Sequence, residues 1–165
     1  MTVIRPATVT DVSTILRFVR DLAAFEREPD AVLATEATLQ AALFGLNPAA
    51  EAVIAEVDDR AVGFAIYFHN FSTWTGKRGL YLEDLYVTPA ARGRGVGKAL
   101  LHHLAALAVA RDCARFEWSV LDWNADAIAF YRSVGAVGME DWTIQRVSGD
   151  ALAALAAGPV SPGTG

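Results

Sequence analysis

The sequence has 165 residues, 53% of them hydrophobic, and a formal net charge of −5. This length and hydrophobic content suit one globular domain with a single core, and the acidic balance argues against a nucleic-acid-binding protein, which would need a basic face. Cys113 is the only cysteine, so the sequence offers no disulfide framework and no cysteine-based zinc site, and it favours a reducing compartment. No stretch approaches the roughly 18 apolar residues of a membrane span. The first residues also lack a long apolar region, so we expect a cytoplasmic protein without membrane contact.

The first half of the chain carries the periodic patterns of two helices and three strands. Apolar residues recur at helical spacing in two stretches, and β-branched or aromatic residues dominate three others. Pro6, Pro29 and Gly45 mark the ends of elements. In chain order we predict a strand at 2–5, a helix at 12–25, a helix from 35 or 36 to 44, a hairpin of strands 53–57 and 62–68 with a turn at 58–60, and a polar loop at 69–79.

The second half alternates between strands and helices. In chain order we predict a strand at 81–87, a helix from 96 to about 111, a parallel strand at 116–121, a helix at 125–134 that ends at Gly135, a strand at 143–147 and a short helix at 151–156. This order predicts an α/β fold with a mixed central β-sheet and helices on both faces. We expect a single domain over residues 1–157 and a disordered tail at 158–165, whose residues are small and turn-forming.

A glycine-rich turn after the strand at 81–87 indicates an anion site. Its three glycines, at alternate positions from 93 to 97, free the backbone to direct successive N–H groups at one point. The dipole of the following helix favours an anion there, above all a phosphate. The Walker A pattern fails, because Arg92 stands where its first glycine is required and Ala99 where a hydroxyl is required. The dinucleotide-binding pattern fails because its glycine register is absent.

The pattern Arg92-x-x-Gly95-x-Gly97, after a strand and at the start of a helix, resembles the acetyl-CoA signature of the GNAT N-acetyltransferases. The flanking residues resemble the diamine acetyltransferase-like branch, which includes spermidine/spermine and thialysine acetyltransferases. They follow the order of that branch to about Val147: Ile4-Arg5-Pro6-Ala7-Thr8, Phe25-Glu26, Thr73-Trp74-Thr75-Gly76-Lys77, Tyr81-Leu82-Glu83-Asp84, Leu121-Asp122-Trp123-Asn124 and Phe130-Tyr131. The resemblance implies the GNAT fold, with parallel strands that splay apart at the acetyl-CoA site.

The resemblance also implies acetyl-CoA as the co-substrate. Backbone N–H groups of the turn would hold the pyrophosphate, basic side chains would add charge, and the preceding strand would pair with the pantetheine arm. The implied cofactor-binding residues are Leu85, Tyr86, Val87, Arg92, Gly93, Arg94, Gly95, Val96, Gly97, Lys98, Asn124, Ala127 and Tyr131. From the residues alone, the apolar members could instead be core and the basic members a solvated turn.

Tyr131 and Glu83 are the catalytic residues that the resemblance implies. In the family the tyrosine reaches the sulfur as general acid, and a phenol with a reference pKa of about 10 can donate to a departing thiolate at neutral pH. A lysine-like ammonium must lose its proton before it attacks, and Glu83 would take that proton directly or through water. Without the resemblance, Tyr131 could be a packing residue and Glu83 a turn cap. Asp84 would face the other side of a regular strand, and we predict a structural role for it.

The acceptor site is implied to be acidic and aromatic. Carboxylates attract an ammonium and tryptophan rings offer cation–π faces to it, although each residue could also be ordinary surface or core. The implied acceptor-binding residues are Phe25, Glu26, Trp74, Glu83, Glu117, Trp118 and Ser119, with Glu140 or Asp141 as further candidates. Polyamine-acetylating relatives tend to have an aspartate before the Pro-Trp of this loop. Ser72-Thr73 precede Trp74 here, so the loop resembles that of the thialysine-type members.

These observations predict an acetyl-CoA-dependent N-acetyltransferase that acts by direct attack in a ternary complex. Its acceptor would be a primary amine of a small molecule: a thialysine or lysine-like amino acid, a diamine or a polyamine. Family members are homodimers, so the resemblance implies a homodimer. The three histidines lack metal-ligand spacing, so we expect no metal site. The alternatives are a protein lysine or N-terminal acetyltransferase and a CoA-binding regulatory protein without turnover.

Overall fold

The computed structural model describes residues 1–158. The chain forms two compact units, the first from Met1 to Ser119 and the second from Val120 onward. No helix within residues 1–158 is long and apolar enough to span a bilayer. Of the tail predicted at 158–165, only Gly158 falls among the described residues.

The first unit contains five strands and three α-helices. They are β1 (Thr2–Pro6), α1 (Val12–Phe25), α2 (Glu36–Phe44), β2 (Glu51–Val57), β3 (Arg60–Ser72), β4 (Lys77–Val87), α3 (Val96–Ala110) and β5 (Phe116–Trp118). Three 3-10 turns, at Val9–Asp11, Pro29–Ala31 and Pro89–Ala91, precede α1, α2 and α3 respectively. The predicted mixed sheet with helices is confirmed.

The five strands form one sheet in the order β1-β2-β3-β4-β5. Neighbouring strands are antiparallel except for β4 and β5, which are parallel as predicted. The β4–β5 pairing stops at Leu82 and Trp118, while β4 continues to Val87. Within Met1–Ser119 no strand pairs with the β5 side of residues 83–87. Within the first unit, residues 83–87 therefore form a strand edge without a paired strand on that side.

Alternate residues of the central strands face different helices. Ile54, Phe64 and Tyr86 cluster with Ile15 and Phe18 of α1, whereas α3 contacts β1, β3 and β4. The Phe18 ring lies 5.8 Å from Phe64 and 5.5 Å from Tyr86 between centroids. Because side chains alternate along a strand, this two-sided burial explains the near-continuous apolar runs of β2 and β3. The core thus fixes the position of β4, the strand that leads into the glycine turn.

Two predicted boundaries in the first unit are wrong. The loop predicted at 69–79 shrinks to residues 73–76, because β3 and β4 pair as far as Ser72 and Lys77. Its polar residues make cross-strand contacts, such as the bond from Asn70 Nδ2 to Glu117 Oε1 at 3.0 Å. The strand predicted at 116–121 ends at Trp118. A bulge in β4 directly follows the last β4–β5 pair, so the parallel register cannot continue.

The second unit contains two helices, α4 (Ala125–Ser133) and α5 (Gly149–Ala157). Asn124 caps α4, since its Oδ1 accepts a hydrogen bond from the Ala127 N–H at 3.3 Å. Gly135 follows α4 with a φ of 91°, which confirms the predicted left-handed terminator. The strand predicted at 143–147 is wrong, because the sheet comprises only β1 to β5 among residues 1–158. Its β-branched residues favour a strand, but a strand also requires a pairing partner.

Candidate active site

The glycine turn presents unpaired backbone donors at the start of α3. Gly93 and Gly95 have φ values of 73° and 80°, a left-handed backbone that glycine adopts without steric cost. Gly95 is the N-cap residue of α3, and no side chain among residues 1–158 caps this end. The first N–H groups of α3 therefore point out of the helix without an intrahelical acceptor, as an anion site requires.

The open edge of β4 lies beside this turn. A Cβ atom placed on Gly97 would lie 3.9 Å from Val87 Cγ2 and 4.0 Å from Leu85 Cδ2, so the first turn of α3 faces the last residues of β4. A diphosphate at the turn and an amide-bearing chain along the strand edge would follow one continuous path. The turn and the strand edge therefore fit the diphosphate and the pantetheine arm of CoA.

The three basic side chains of the turn lie in different surroundings. Arg94 borders an open cleft of about 420 Å³, which it shares with Val57, Asp58, Arg60, Val62, Thr88, Ala90 and Ala91. Lys98 is exposed on α3. Arg92, in contrast, folds back over two aromatic rings: its guanidinium carbon lies 5.2 Å from the Phe25 centroid and 5.7 Å from the Tyr86 centroid. The resemblance implies that all three of these basic side chains lie at the phosphate.

An acidic group lies at the bulge of β4. Ile66 pairs with Asp84 and Tyr67 with Leu82, so Glu83 is the extra residue, and it is exposed. Burial, followed by the charges of Glu83 and Glu26, raises the pKa of Asp84 from 3.8 to about 6. Partial burial also raises the pKa of Glu26 at the end of α1, although the residue as a whole is exposed. Three carboxyl groups close enough to interact would attract a cationic acceptor.

The structural role predicted for Asp84 rests on a regular strand. The expectation that it faces away from Glu83 assumed a regular strand, and the bulge removes that regularity. The available signal was the pair of consecutive carboxylates on an otherwise apolar strand, because like charges placed together shift each other's pKa.

Glu117 and Trp74 lie in other surroundings. The Glu117 carboxylate is bound by Arg115 Nε at 2.7 Å and by Asn70 Nδ2 at 3.0 Å, so a cation already neutralises it. Trp74 is 89% exposed in the turn between β3 and β4. Six residues of β4, or about 20 Å at the rise of a strand, separate that turn from Glu83. The first unit therefore does not bring Trp74 to the acidic group.

The remaining acceptor candidates of the first unit lie on β5, directly after β5 and at the end of α1. The hydroxyl groups of Ser119 and Tyr81 share a hydrogen bond of 2.9 Å. The Trp118 and Phe116 rings pack with centroids 4.9 Å apart. Phe25 is the last residue of α1 and directly precedes Glu26, an acidic candidate for acceptor binding. The cation–π contact of Arg92 with Phe25 therefore involves the residue next to Glu26.

The second unit carries the other predicted residues on or near α4. Asn124 and Ala127 form the N-cap hydrogen bond of this helix, and Tyr131 lies two turns after the cap, its ring 5.6 Å from the Phe130 centroid. Glu140 and Asp141 are exposed in the segment between α4 and α5. Tyr131 therefore lies on a helix whose start is capped by Asn124.

Comparison with known proteins agrees with this geometry. Residues 16–136 match the family model described as "Acetyltransferase (GNAT) family". Thialysine N-epsilon-acetyltransferase from Sus scrofa is 38% identical, over 93% of this chain and 96% of that protein. L-ornithine N5-acetyltransferase from Arabidopsis thaliana is 31% identical, over 92% of this chain and 86% of that protein. The solved structure of an integron cassette protein from the mobile metagenome of V. cholerae superposes with a TM-score of 0.79 at 28% identity, covering 94% of this chain and 97% of that one. The chain therefore belongs to the GNAT family of acetyltransferases.

Proposed function

We propose that this protein transfers the acetyl group of acetyl-CoA, the co-substrate of its family, to the side-chain amine of a lysine-like or ornithine-like amino acid. The similarity to the pig thialysine and plant ornithine enzymes carries this proposal, because it extends over nearly the whole of this chain. Both relatives are named for acetylation of the side-chain amine of an amino acid. Diamines and polyamines form the wider substrate class.

The proposed co-substrate site is the glycine turn with the adjoining strand edge. Backbone N–H groups between Gly93 and Lys98 would bind the diphosphate, and the edge at Leu85–Val87 would bind the amides of the pantetheine arm. The uncapped start of α3 supports this assignment. In the second unit, Asn124, Ala127 and Tyr131 are the proposed further contacts.

The proposed reaction is a direct transfer between two bound substrates. The neutral amine nitrogen attacks the thioester carbonyl, so that a C–N bond forms and the C–S bond breaks. Glu83 takes the proton that the ammonium loses, directly or through water, and Tyr131 donates its phenolic proton to the departing thiolate. The acidic group of Glu26, Glu83 and Asp84 supports an ammonium as acceptor, because its charge attracts the cation before deprotonation.

A thiol-release assay with a panel of amines tests the proposal. The panel contains thialysine, lysine, ornithine, putrescine and spermidine, with a peptide bearing an internal lysine as the macromolecular control. We expect the highest kcat/KM for one of the three amino acids and at least about tenfold less for spermidine. Turnover of the peptide alone would replace the proposal with protein acetylation. Acetyl-CoA binding without thiol release for any amine would favour a regulatory CoA-binding protein.

We propose that the protein acts as a homodimer in the cytoplasm. The exposed apolar side chains between α4 and α5, such as Trp142 and Ile144, support an interface between two copies, because single chains seldom expose such groups together. A single free thiol, Cys113, is compatible with a reducing compartment.

A further inference from the structure

A polar cluster of Asn70, Arg115 and Glu117 lies on the sheet where β5 begins. Arg115 Nε lies 2.7 Å from Glu117 Oε1, and Asn70 Nδ2 donates a hydrogen bond of 3.0 Å to the same oxygen. The second carboxylate oxygen of Glu117 takes part in neither of these contacts. The side chains of Arg115 and Glu117 are 41% and 34% exposed. The cluster therefore presents a positive and a negative group side by side to solvent.

Gly79 makes room for this cluster on β4. Gly79 pairs with Asn70 across β3 and β4, and a Cβ atom placed on it would clash with Asn70 Oδ1 and lie 3.0 Å from Arg115 Cγ. A larger residue would push both side chains away from the sheet, so this close approach requires glycine. The backbone of Arg115 is also fixed, because its carbonyl oxygen accepts a hydrogen bond of 3.0 Å from the Leu80 N–H. Three adjacent strands thus hold the cluster in place.

The distance from this cluster to Glu83 matches the length of a lysine side chain. Glu117 is paired with Tyr81, which lies two residues, or about 7 Å, before Glu83 along β4. In an extended lysine side chain, five bonds of about 1.5 Å place the amine about 6 Å from the α-carbon. The Tyr81 and Phe68 rings, with centroids 5.1 Å apart, are only partly buried. These rings offer an apolar surface to methylene groups that connect two polar ends.

We propose that Arg115 and Glu117 bind the α-amino acid group of the acceptor. The carboxylate of the substrate would pair with the Arg115 guanidinium and its α-ammonium with Glu117, while the side-chain amine lies at Glu83. A zwitterion carries opposite charges on one carbon, so it complements an ion pair whose two charges lie side by side. A diamine has an ammonium for Glu117 but no group for Arg115. This role rests on the proposed acetylation of a lysine-like or ornithine-like amino acid, and it makes Arg115 the residue that selects such an acceptor over a diamine.

The test compares lysine with 1,5-diaminopentane, which has the same chain and the same two amines but no carboxylate. It measures kcat/KM for each amine at saturating acetyl-CoA in the wild type, Arg115→Gln and Glu117→Gln. We expect Arg115→Gln to lower kcat/KM about tenfold for lysine and to change it less than about threefold for 1,5-diaminopentane. Glu117→Gln should lower kcat/KM for both amines, because each of them presents a second ammonium to this carboxylate. An ion pair with a purely structural role would not distinguish the two amines.

Arg78→Gln is the matched control. Arg78 is an exposed arginine of β4 that directly precedes Gly79, so its side chain leaves the opposite face of the sheet. This variant should leave kcat/KM unchanged for both amines. Lysinamide, in which a neutral amide replaces the carboxylate, gives a second measurement on the wild type alone. Its kcat/KM should be about tenfold below that of lysine, and this comparison carries the test if Arg115→Gln does not fold by circular dichroism.

Two results would overturn the inference. Arg115→Gln could reduce kcat/KM equally for lysine and 1,5-diaminopentane, or for neither, and the wild type could use lysine and lysinamide equally well. Either result would leave Arg115 with a structural role, while the proposed function would stand because amines are still acetylated. Turnover of none of the three compounds would instead remove the proposed function, and the binding role of Arg115 with it.

Discussion

Glu83 and Asp84 are consecutive carboxylates on one strand, yet their surroundings differ. The bulge places Glu83 outside the regular β3–β4 register and leaves it exposed, whereas Asp84 is partly buried. Burial and two neighbouring negative charges raise the pKa of Asp84 to about 6. A carboxyl group that titrates close to neutral pH, beside a proposed proton acceptor, links the charge of the acceptor site to pH.

Asp84 should make the protein less stable as the pH rises. Between about pH 4 and pH 6 the folded protein holds a proton on Asp84 that the unfolded chain has already lost, so the free energy of unfolding falls through this window. The loss corresponds to about 1 to 3 kcal/mol and is complete above the folded-state pKa. Asp84→Asn removes this loss, so its advantage over the wild type in urea unfolding should grow from pH 4.5 to pH 7. Asp59→Asn, in the exposed turn after β2, should show no such growth; a constant difference for Asp84→Asn would refute the assignment.

Tyr131 is the proposed general acid, and its hydroxyl group would donate the proton. Tyr131→Phe keeps the ring and removes the proton donor, so kcat should fall by about 100-fold or more, while the acetyl-CoA Kd stays within about threefold. Steady-state thiol release and calorimetry measure the two constants. Tyr81→Phe is the matched control, since it removes a phenol that shares a hydrogen bond of 2.9 Å with the Ser119 hydroxyl. Equal kcat values for wild type and Tyr131→Phe would exclude the role.

At the scale of the elements, the glycine turn and the β3–β4 turn offer a matched pair of substitutions. Gly95 and Gly76 have φ values of 80° and 66°, and an added Cβ would meet no atom within 4 Å at either position. Alanine should therefore cost about 1 to 2 kcal/mol of backbone strain at both sites. Only Gly95→Ala also disturbs the N–H groups at the start of α3, so only this variant should weaken acetyl-CoA binding, by about tenfold or more in calorimetry. Equal binding by the two variants would place the diphosphate elsewhere.

Elements defined by local chemistry could be predicted from the sequence. The helix at Val12–Phe25 follows from its apolar spacing, and the strand, turn and helix around Gly95 follow from a proline, the glycines and a change of periodicity. Elements that depend on pairing with residues distant in the sequence could not be predicted in this way. The extension of β3 to Ser72 depends on pairing with Lys77, and the strand predicted at 143–147 has strand-forming residues without a partner strand in the described chain.

The same distinction applies to the site. The glycine turn was predictable because backbone N–H groups at a helix start need only local sequence. The direction of the Arg92 side chain was not, because the rings that attract it, Phe25 and Tyr86, lie on other elements. The engagement of Glu117 by Arg115 and Asn70 likewise results from the side-by-side placement of β3, β4 and β5. The direction of a side chain depends on its tertiary neighbours, so a sequence motif does not predict it.

At the scale of the whole molecule, apolar exposure is concentrated between α4 and α5. Trp142 is 69% exposed and Ile144 is 72% exposed, and the sequence around them favours a strand. Removing such side chains from water contributes about 25 cal/mol for each Å² of apolar surface. Pairing of this segment with a strand edge of a second copy would remove these side chains from water.

We infer that the oligomeric state depends on the segment between α4 and α5. We expect the wild type to be a dimer in light scattering coupled to size exclusion, and the double variant Trp142→Ser/Ile144→Lys to be a monomer, because a lysine in the interface would bury an unpaired charge. Leu46→Lys is the matched control: Leu46 is 96% exposed in the loop after α2, so the same type of change there should leave the dimer intact. A wild type that is monomeric at micromolar concentration would remove the proposed homodimer. A dimer that survives the double variant but not Leu46→Lys would place the interface on the first unit.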